Sequence, residues 1–379
     1  MSDAETLGVV GGGQLGRMLA EAAAPLGIEV VVLDPTPECP ASTVARDQIV
    51  GDFGDEDGVR ELASRANYLT YEIELADPDT LERVGEEYDV PVHPDPETLR
   101  TIQDKLVQKE ALGEAGIPVP EFRRVDDRSD LEAALDEFGD VMLKAREGGY
   151  DGRGNVPVRG AEDLDALDEL DGPAMAERFV DFEREVSIIG VKGDEETRTF
   201  PLGENVHREE ILRETVVPAR TDEDVAERAR EVAEDVLDLL SGRGVYGIEL
   251  FETAGGEILV NEIAPRPHNS GHYTIEGALT SQFEQHARAV TGRPLGATDL
   301  RSPVVMANVL GDVAEPRPAN PAGVESVLAH PGASYHWYGK REVRPLRKMG
   351  HMTLVGRNDE STDELLATAR RLREEVTFE

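Results

Sequence analysis

Residues 244–272 read GVYGIELFETAGGEILVNEIAPRPHNSGH, and the reading of this stretch decides the fold. Two apolar, β-prone runs flank Ala254, Gly255 and Gly256, which predicts an antiparallel hairpin. Each run carries one carboxylate: Glu249 in the first, and Glu262 beside Asn261 in the second. A carboxylate buried in an apolar strand is costly unless a cation or a metal meets it. Two on neighbouring strands, with the Asn261 amide, offer hard oxygen donors suited to Mg²⁺, or Mn²⁺ in its place, when nucleotide phosphates complete the shell. Pairing of one carboxylate with Arg266 is the plainer reading of the same residues.

The second half of the stretch places His268 and His272 four residues apart, a spacing that zinc sites use on helices. Pro265 and Pro267 precede them, and Ser270 and Gly271 lie between them, so the segment is predicted to be a loop. The single cysteine, Cys39, excludes a cysteine-based zinc cluster and an intrachain disulfide. Arg266, His268, Asn269 and Ser270 then read as a donor-rich loop for an anion.

Upstream, Lys144 ends the strand-like run VMLKA and is followed by REGGYDGRGN (146–155). A glycine-rich loop of this kind can close over a polyphosphate and donate main-chain N–H groups, with the lysine as a point charge. The ending of a Walker A loop is absent. Residues 7–34 read strand, glycine loop, helix, strand, with Gly11, Gly13 and Gly16 in G-x-G-x-x-G spacing and Asp34 closing the second strand. This pattern keeps a nicotinamide-dependent oxidoreductase open as one hypothesis and a plain tight turn as another. A helix is predicted over 97–115, ending at Gly116, and another over 222–241.

Composition narrows the classes. The chain has 379 residues, with 78 acidic against 39 basic and a net charge of -39. Such a field repels nucleic acid, which excludes it as a partner. The acids are spread along the whole chain, and the basic residues are mostly arginine. This predicts adaptation to a high-salt, halophilic interior, where a Debye length of about 3 Å screens self-repulsion. Lysines are scarce (105, 109, 144, 192, 340 and 348), so each one kept invites an explanation. No apolar run is long enough for a membrane helix, and MSDAETLGVV has no basic start, so a cytoplasmic protein is expected.

Taken together, the strand–Lys144–glycine loop, the segment ERFV (177–180) and the carboxylates on two late strands resemble the ATP-grasp superfamily. Within it, GGGQLGRM (11–18), REGGYDGRGN, NEIAPRPHNSGH (261–272), SQFEQHARAVTGRPLG (281–296) and WYGKREVRPLRKMGH (337–351) resemble the N5-carboxyaminoimidazole ribonucleotide synthetase family of purine biosynthesis. The likeness runs in the same order over essentially the whole chain. It implies a mixed α/β and α+β architecture: a Rossmann-like pre-ATP-grasp domain over 1–95, an ATP-grasp domain over 96–294 with a lid at about 117–180, and a small β-rich C-terminal domain over 295–379 packing on the core. It implies a ligase that takes ATP, bicarbonate and aminoimidazole ribonucleotide, works as a homodimer and needs Mg²⁺.

Carried over residue by residue, the resemblance assigns ATP contacts to Lys105 and Lys144, to the lid Gly149, Tyr150, Asp151, Gly152, Arg153 and Gly154, and to Glu177, Arg178, Phe179 and Val180 at the adenine edge. Glu185 is expected at the ribose, with His207, Asn261 and Glu262 nearby. Glu249 and Glu262 would hold the metal. Gln14, Glu72, Asn269, Lys340, Arg347 and Lys348 would bind the ribonucleotide, the last three as a cluster for its 5′-phosphate. Asp151, Arg153, Arg266 and His268 would be catalytic, while Lys109 and Lys192 receive no role. Lys105 stands where relatives often carry arginine, which keeps the charge but not the fork. Pro267 resembles formate-dependent glycinamide ribonucleotide transformylase, the nearest alternative, whereas Gln14 and HNSG (268–271) resemble the carboxylating family.

Overall fold

The computed structural model describes residues 5–148, 154–170, 172–357 and 360–379. Its first sheet follows from the opening pattern. Strands β1 (Glu5–Val10), β2 (Ile28–Asp34), β3 (Asp47–Val50) and β4 (Tyr68–Tyr71) pair in the order β3-β2-β1-β4, all parallel. β1 and β2 are almost wholly buried, as a sheet covered on both faces requires. Helix α1 (Gln14–Ala23) seats Leu15, Met18 and Leu19 on this sheet, in a cluster that also takes Phe283 and Ala287 from far along the chain.

The long helix predicted over 97–115 is two helices, α2 (Pro96–Gln103) and α3 (Lys105–Glu114). Asp104 makes the break. It leaves helical geometry (φ -100°, ψ 107°), and its carboxylate accepts from the Leu106 and Val107 N–H groups at 2.9 and 3.3 Å. The same carboxylate takes Arg146 Nε at 2.9 Å. Lys105 therefore starts a helix at the rim of the glycine loop, and its N–H donates to the Arg146 carbonyl.

A second, four-stranded antiparallel sheet combines β5 (Phe122–Val125), β6 (Val141–Ala145), β7 (Asn155–Val158) and β8 (Ala174–Arg178) in the order β5-β8-β6-β7. Lys144 lies near the end of β6, as expected.

The third sheet has nine strands: β9 (Phe182–Lys192), β10 (Thr197–Thr199), β11 (Gly203–Arg208), β12 (Ile211–Val217), β13 (Gly244–Thr253), β14 (Ile258–Ala264), β15 (Val304–Leu310), β16 (Ala333–Trp337) and β17 (Lys348–Val355). Helix α4 (Glu223–Leu239) covers one face through Val232, Val236 and Leu237. The C-terminal strands were expected to form a small packed-on domain. There β15 pairs antiparallel with β12, and β17 and β16 continue from it, so these strands pack on the core by extending the main sheet.

The opening hairpin is present as β13 and β14, with Gly256 at φ +72° in the turn. Glu249 and Glu262 stand directly opposite each other, and the register slips immediately after Glu249. Asn261 is the extra residue of that bulge. A regular pleat would send Asn261 and Glu262 to opposite faces; the bulge lets both face the same space.

Candidate active site

A cavity of about 2220 Å³ is lined by residues of the three large sheets. It gathers residues scattered through the sequence: Gln14 and Glu72; Lys105 and Lys144; Glu177, Arg178, Phe179 and Val180; Glu185 and His207; Glu249, Asn261 and Glu262; Arg266, His268 and Asn269; and Lys340, Arg347 and Lys348. Gly154 is described but is not in this lining. The remaining lid assignments, Gly149, Tyr150, Asp151, Gly152 and Arg153, lie outside the described residues.

At one end, Lys144 Nζ lies 2.6 Å from Glu177 Oε1 and 3.3 Å from Asn261 Oδ1. Lys105 Nζ is 3.4 Å from Glu262 Oε1. Glu262 was expected to be buried. It sits deep in the molecule, yet 49% of its side chain is open, because the bulge turns it into the cavity. Burial pushes its carboxyl up, but Lys105, Lys144 and Arg266 outweigh that and hold it below the usual range. Glu249 has weaker compensation: burial, with Glu262 and Glu185 nearby, lifts it to about 7 against the pull of His207 and Lys348. Glu185 ion-pairs with His207 Nδ1, and that carboxylate keeps the imidazole raised despite its burial.

The backbone N–H groups at 178–179 are already paired within the protein: those of Arg178 and Phe179 donate to the Glu121 and Asp140 carbonyls. Phe182, which follows, stacks on Phe251 with ring centroids 4.9 Å apart.

At the other end, the loop after β14 presents His268. Gly247 on β13 makes room: a Cβ there would lie 2.5 Å from His268 Cβ. Gln282 grips the histidine main chain from both sides, accepting from its N–H at 2.9 Å and donating to its carbonyl at 2.8 Å. His268 Nδ1 faces the Ser270 hydroxyl at 2.9 Å, and Nε2 lies 3.3 Å from Glu249. Burial, with Arg266 nearby, drives its pKa well down, so the ring is neutral. Asn269 is fixed by a reciprocal amide pair with buried Asn308, at 2.8 and 3.1 Å. Arg266 Nη2 binds Glu74 at 2.7 Å. His272, by contrast, points into the core, 1% exposed, between Phe283 and His351.

The glycine loop before α1 does not offer its donors to a dinucleotide. Gly13 N–H donates to Glu72 at 2.6 Å and Gly12 N–H to Asp34 at 2.9 Å, so the protein's own carboxylates occupy the anion position. Burial lifts Glu72 to about 7, partly offset by Gly13 N–H and Arg266. The last cation cluster comes from the β17 approach: Lys340 Nζ donates to the Lys348 carbonyl at 2.7 Å, and Arg347 to the Glu342 carbonyl at 2.8 Å.

The positioning residues Gln282, Asn308, Glu74 and Asp104 carried no sequence signal of their role. Of the two lysines without a role, Lys192 caps α4 through the Leu237 and Leu240 carbonyls, at 2.7 and 2.6 Å. Among the described residues, no group of three or more His, Cys, Asp and Glu stands together to cage a metal. Glu249 and Glu262 stand opposite each other across the hairpin as a pair of carboxylates.

Comparison with known proteins matches the same regions. Residues 4–103 fit the ribonucleotide synthetase preATP-grasp domain, 110–283 the ATP-grasp domain, and 304–365 the phosphoribosylaminoimidazole carboxylase C-terminal domain. The chain is 43% identical over 356 residues to N5-carboxyaminoimidazole ribonucleotide synthase of Brucella melitensis, covering 92% of this chain and 96% of the relative. The Bacillus subtilis synthase is 38% identical over 353 residues, 92% of this chain and 91% of that one. The crystal structure of the Thermotoga maritima synthetase superposes with a TM-score of 0.89 at 43% identity, covering 98% and 99% of the two chains. The Aspergillus clavatus synthase, solved in complex with ADP and the aminoimidazole ribonucleotide, superposes with a TM-score of 0.90 at 35% identity, covering 99% and 100%.

Proposed function

The chain belongs to the N5-carboxyaminoimidazole ribonucleotide synthase family, and from that premise we propose how its cavity performs the family's reaction. It is an ATP-grasp ligase that carboxylates 5-aminoimidazole ribonucleotide to the N5-carboxy product in purine biosynthesis, with ADP as the nucleotide product. The observation that carries the proposal is the single cavity in which nucleotide-type and ribonucleotide-type residues meet.

Bicarbonate is the carboxyl source. One of its oxygens attacks the γ-phosphorus of ATP, ADP leaves, and carboxyphosphate forms. The ribonucleotide's exocyclic amine then attacks the carboxyl carbon, the C–O bond breaks, and phosphate leaves, taking up the proton the amine gives up. Lys105 and Lys144 hold the phosphates as point charges, Glu185 and His207 face the ribose, and Phe182 on Phe251 offers an apolar wall to the base. Arg266, kept charged by Glu74 and Glu72 although burial opposes it, and neutral His268 stand where the carboxyl passes between the substrates. Gln14, Glu72 and Asn269 orient the ribonucleotide, and Lys340, Arg347 and Lys348 take its 5′-phosphate. The lid at 149–154, with Asp151 and Arg153, excludes water from the labile intermediate.

Glu249 and Glu262 fit Mg²⁺, or Mn²⁺ in its place. They face each other across the hairpin, and Glu249, lifted to about 7, gains most from a cation. When bound, the ion adds positive charge beside the transferring phosphoryl oxygens. The proposal extends to the division at 1–95, 96–294 and 295–379, to a homodimer, and to a salt-requiring, halophilic protein with a net charge of -39. Light scattering and activity at rising KCl test the last two; a monomer, or a fold indifferent to salt, contradicts them.

The test of the reaction is a coupled ATPase assay at high KCl. ADP release is expected to need both aminoimidazole ribonucleotide and bicarbonate. Turnover with glycinamide ribonucleotide and formate, but not with aminoimidazole ribonucleotide, overturns the reading in favour of the transformylase.

A further inference from the structure

Lys109 does not line the cavity, yet it is 2% exposed and wholly committed. Its ammonium lies 2.7 Å from Glu177 Oε2 and donates to the Val260 carbonyl at 2.8 Å. The other oxygen of Glu177 holds Lys144 at 2.6 Å. One buried carboxylate is therefore shared by two lysines, one behind it and one at the cavity wall.

The arithmetic of charge gives this arrangement a purpose. Lys144 and Glu177 alone would form a neutral pair, and an incoming phosphate would compete with Glu177 for Lys144. With Lys109 behind, the triad carries net positive charge, and its outermost cation faces the cavity. We propose that Lys109 is a positioning residue for ATP: it holds Glu177 from beneath, so that Lys144 stays aimed and electropositive toward the phosphates. Burial, together with Lys144, lowers Lys109 to about 8 despite the pull of Glu177, which marks the position as costly. A chain this poor in lysine nonetheless keeps one here. The bond to Val260 ties the triad to β14 immediately before Asn261 and Glu262, so the same contact braces the bulge.

The proposal rests on the assignment of Lys144 to the nucleotide phosphates, and the experiment separates the two. Steady-state kinetics on the full chain would vary ATP and ribonucleotide independently. Lys144→Met is expected to raise the ATP KM about tenfold or more; an unchanged value overturns the phosphate assignment itself. Lys109→Met is expected to raise the ATP KM about tenfold, with the ribonucleotide KM within about twofold. Adding Glu177→Gln to Lys109→Met is expected to recover part of that loss, because Lys144 regains its net charge while losing the carboxylate that aims it. An unchanged ATP KM in Lys109→Met, or a double variant as impaired as the product of its two single variants, overturns the proposal. Should Lys109→Met fail to fold, the double variant decides alone. An ATP KM nearer the native chain than Lys144→Met supports the proposal, and one as poor as Lys144→Met overturns it.

Discussion

Among the described contacts, the two ends of the cavity hold their cations by different means. At the proposed nucleotide end, Lys144 and Lys105 lean on carboxylates of β8 and β14, inside a network braced by Lys109. At the proposed ribonucleotide end, Lys340 and Arg347 donate to main-chain carbonyls of the 337–348 segment. The first end is anchored in two sheets and set before a ligand arrives. The second is carried on the approach to one strand. Preorganised charge suits the bond-making end, where charge develops on transferring oxygens. A loop-borne cluster suits the recognition of a phosphate that does not react.

That contrast can be broken by mutation. The largest effect is expected from Glu262→Gln, which removes a carboxylate of the proposed metal site: kcat is expected to fall at least about a hundredfold while the circular dichroism spectrum is unchanged. An undiminished kcat removes Glu262 from the metal site. Lys340→Ala is expected to raise the ribonucleotide KM about tenfold and leave kcat nearly intact. If only the ATP KM moves, the ends have been assigned the wrong way round. Gly247→Ala pushes a Cβ into His268 and is expected to lower kcat severalfold with the ATP KM preserved; native kcat would mean that the His268 position does not matter.

The smallest effect concerns Glu72. Its carboxyl rises from the usual 4.5 to about 7 on folding, so its contribution to stability is full below pH 4.5 and is lost as pH climbs through 7. Glu72→Gln keeps an acceptor for Gly13 N–H without the buried charge. Its Tm is expected to exceed that of the native chain by a few degrees at pH 8, with the gap closing toward pH 5. Equal Tm differences at both pH values would mean that Glu72 is not raised.

Much of this was legible in the sequence because it is local. Alternating apolar residues around Gly255 and Gly256 announce the hairpin, and Pro265 and Pro267 exclude an α-helix through His268 and His272, where the chain makes only a 3-10 turn over Asn269–Gly271. What was not legible depends on distant partners. Asp104 sits inside a helical pattern, and only its bond to Arg146 shows why the chain turns there. The bulge at Asn261, which opens Glu262 to the cavity, is a matter of register between strands. The C-terminal strands join the main sheet through β12 and β15, a pairing no local pattern encodes. Gln282 and Asn308 read as ordinary polar residues until the fold sets them against His268 and Asn269. Lys109 was visible as an oddity of composition, but not as the third member of a triad.

The central claim is that one carboxyl passes between the two ends of the cavity as a phosphate anhydride. Its most direct test is turnover with ¹⁸O-labelled bicarbonate, ATP and aminoimidazole ribonucleotide, followed by mass analysis of the phosphate. Transfer of one labelled oxygen to each phosphate is predicted, because the oxygen that attacks the γ-phosphorus stays with it when the C–O bond breaks. Unlabelled phosphate released during full turnover would contradict the account.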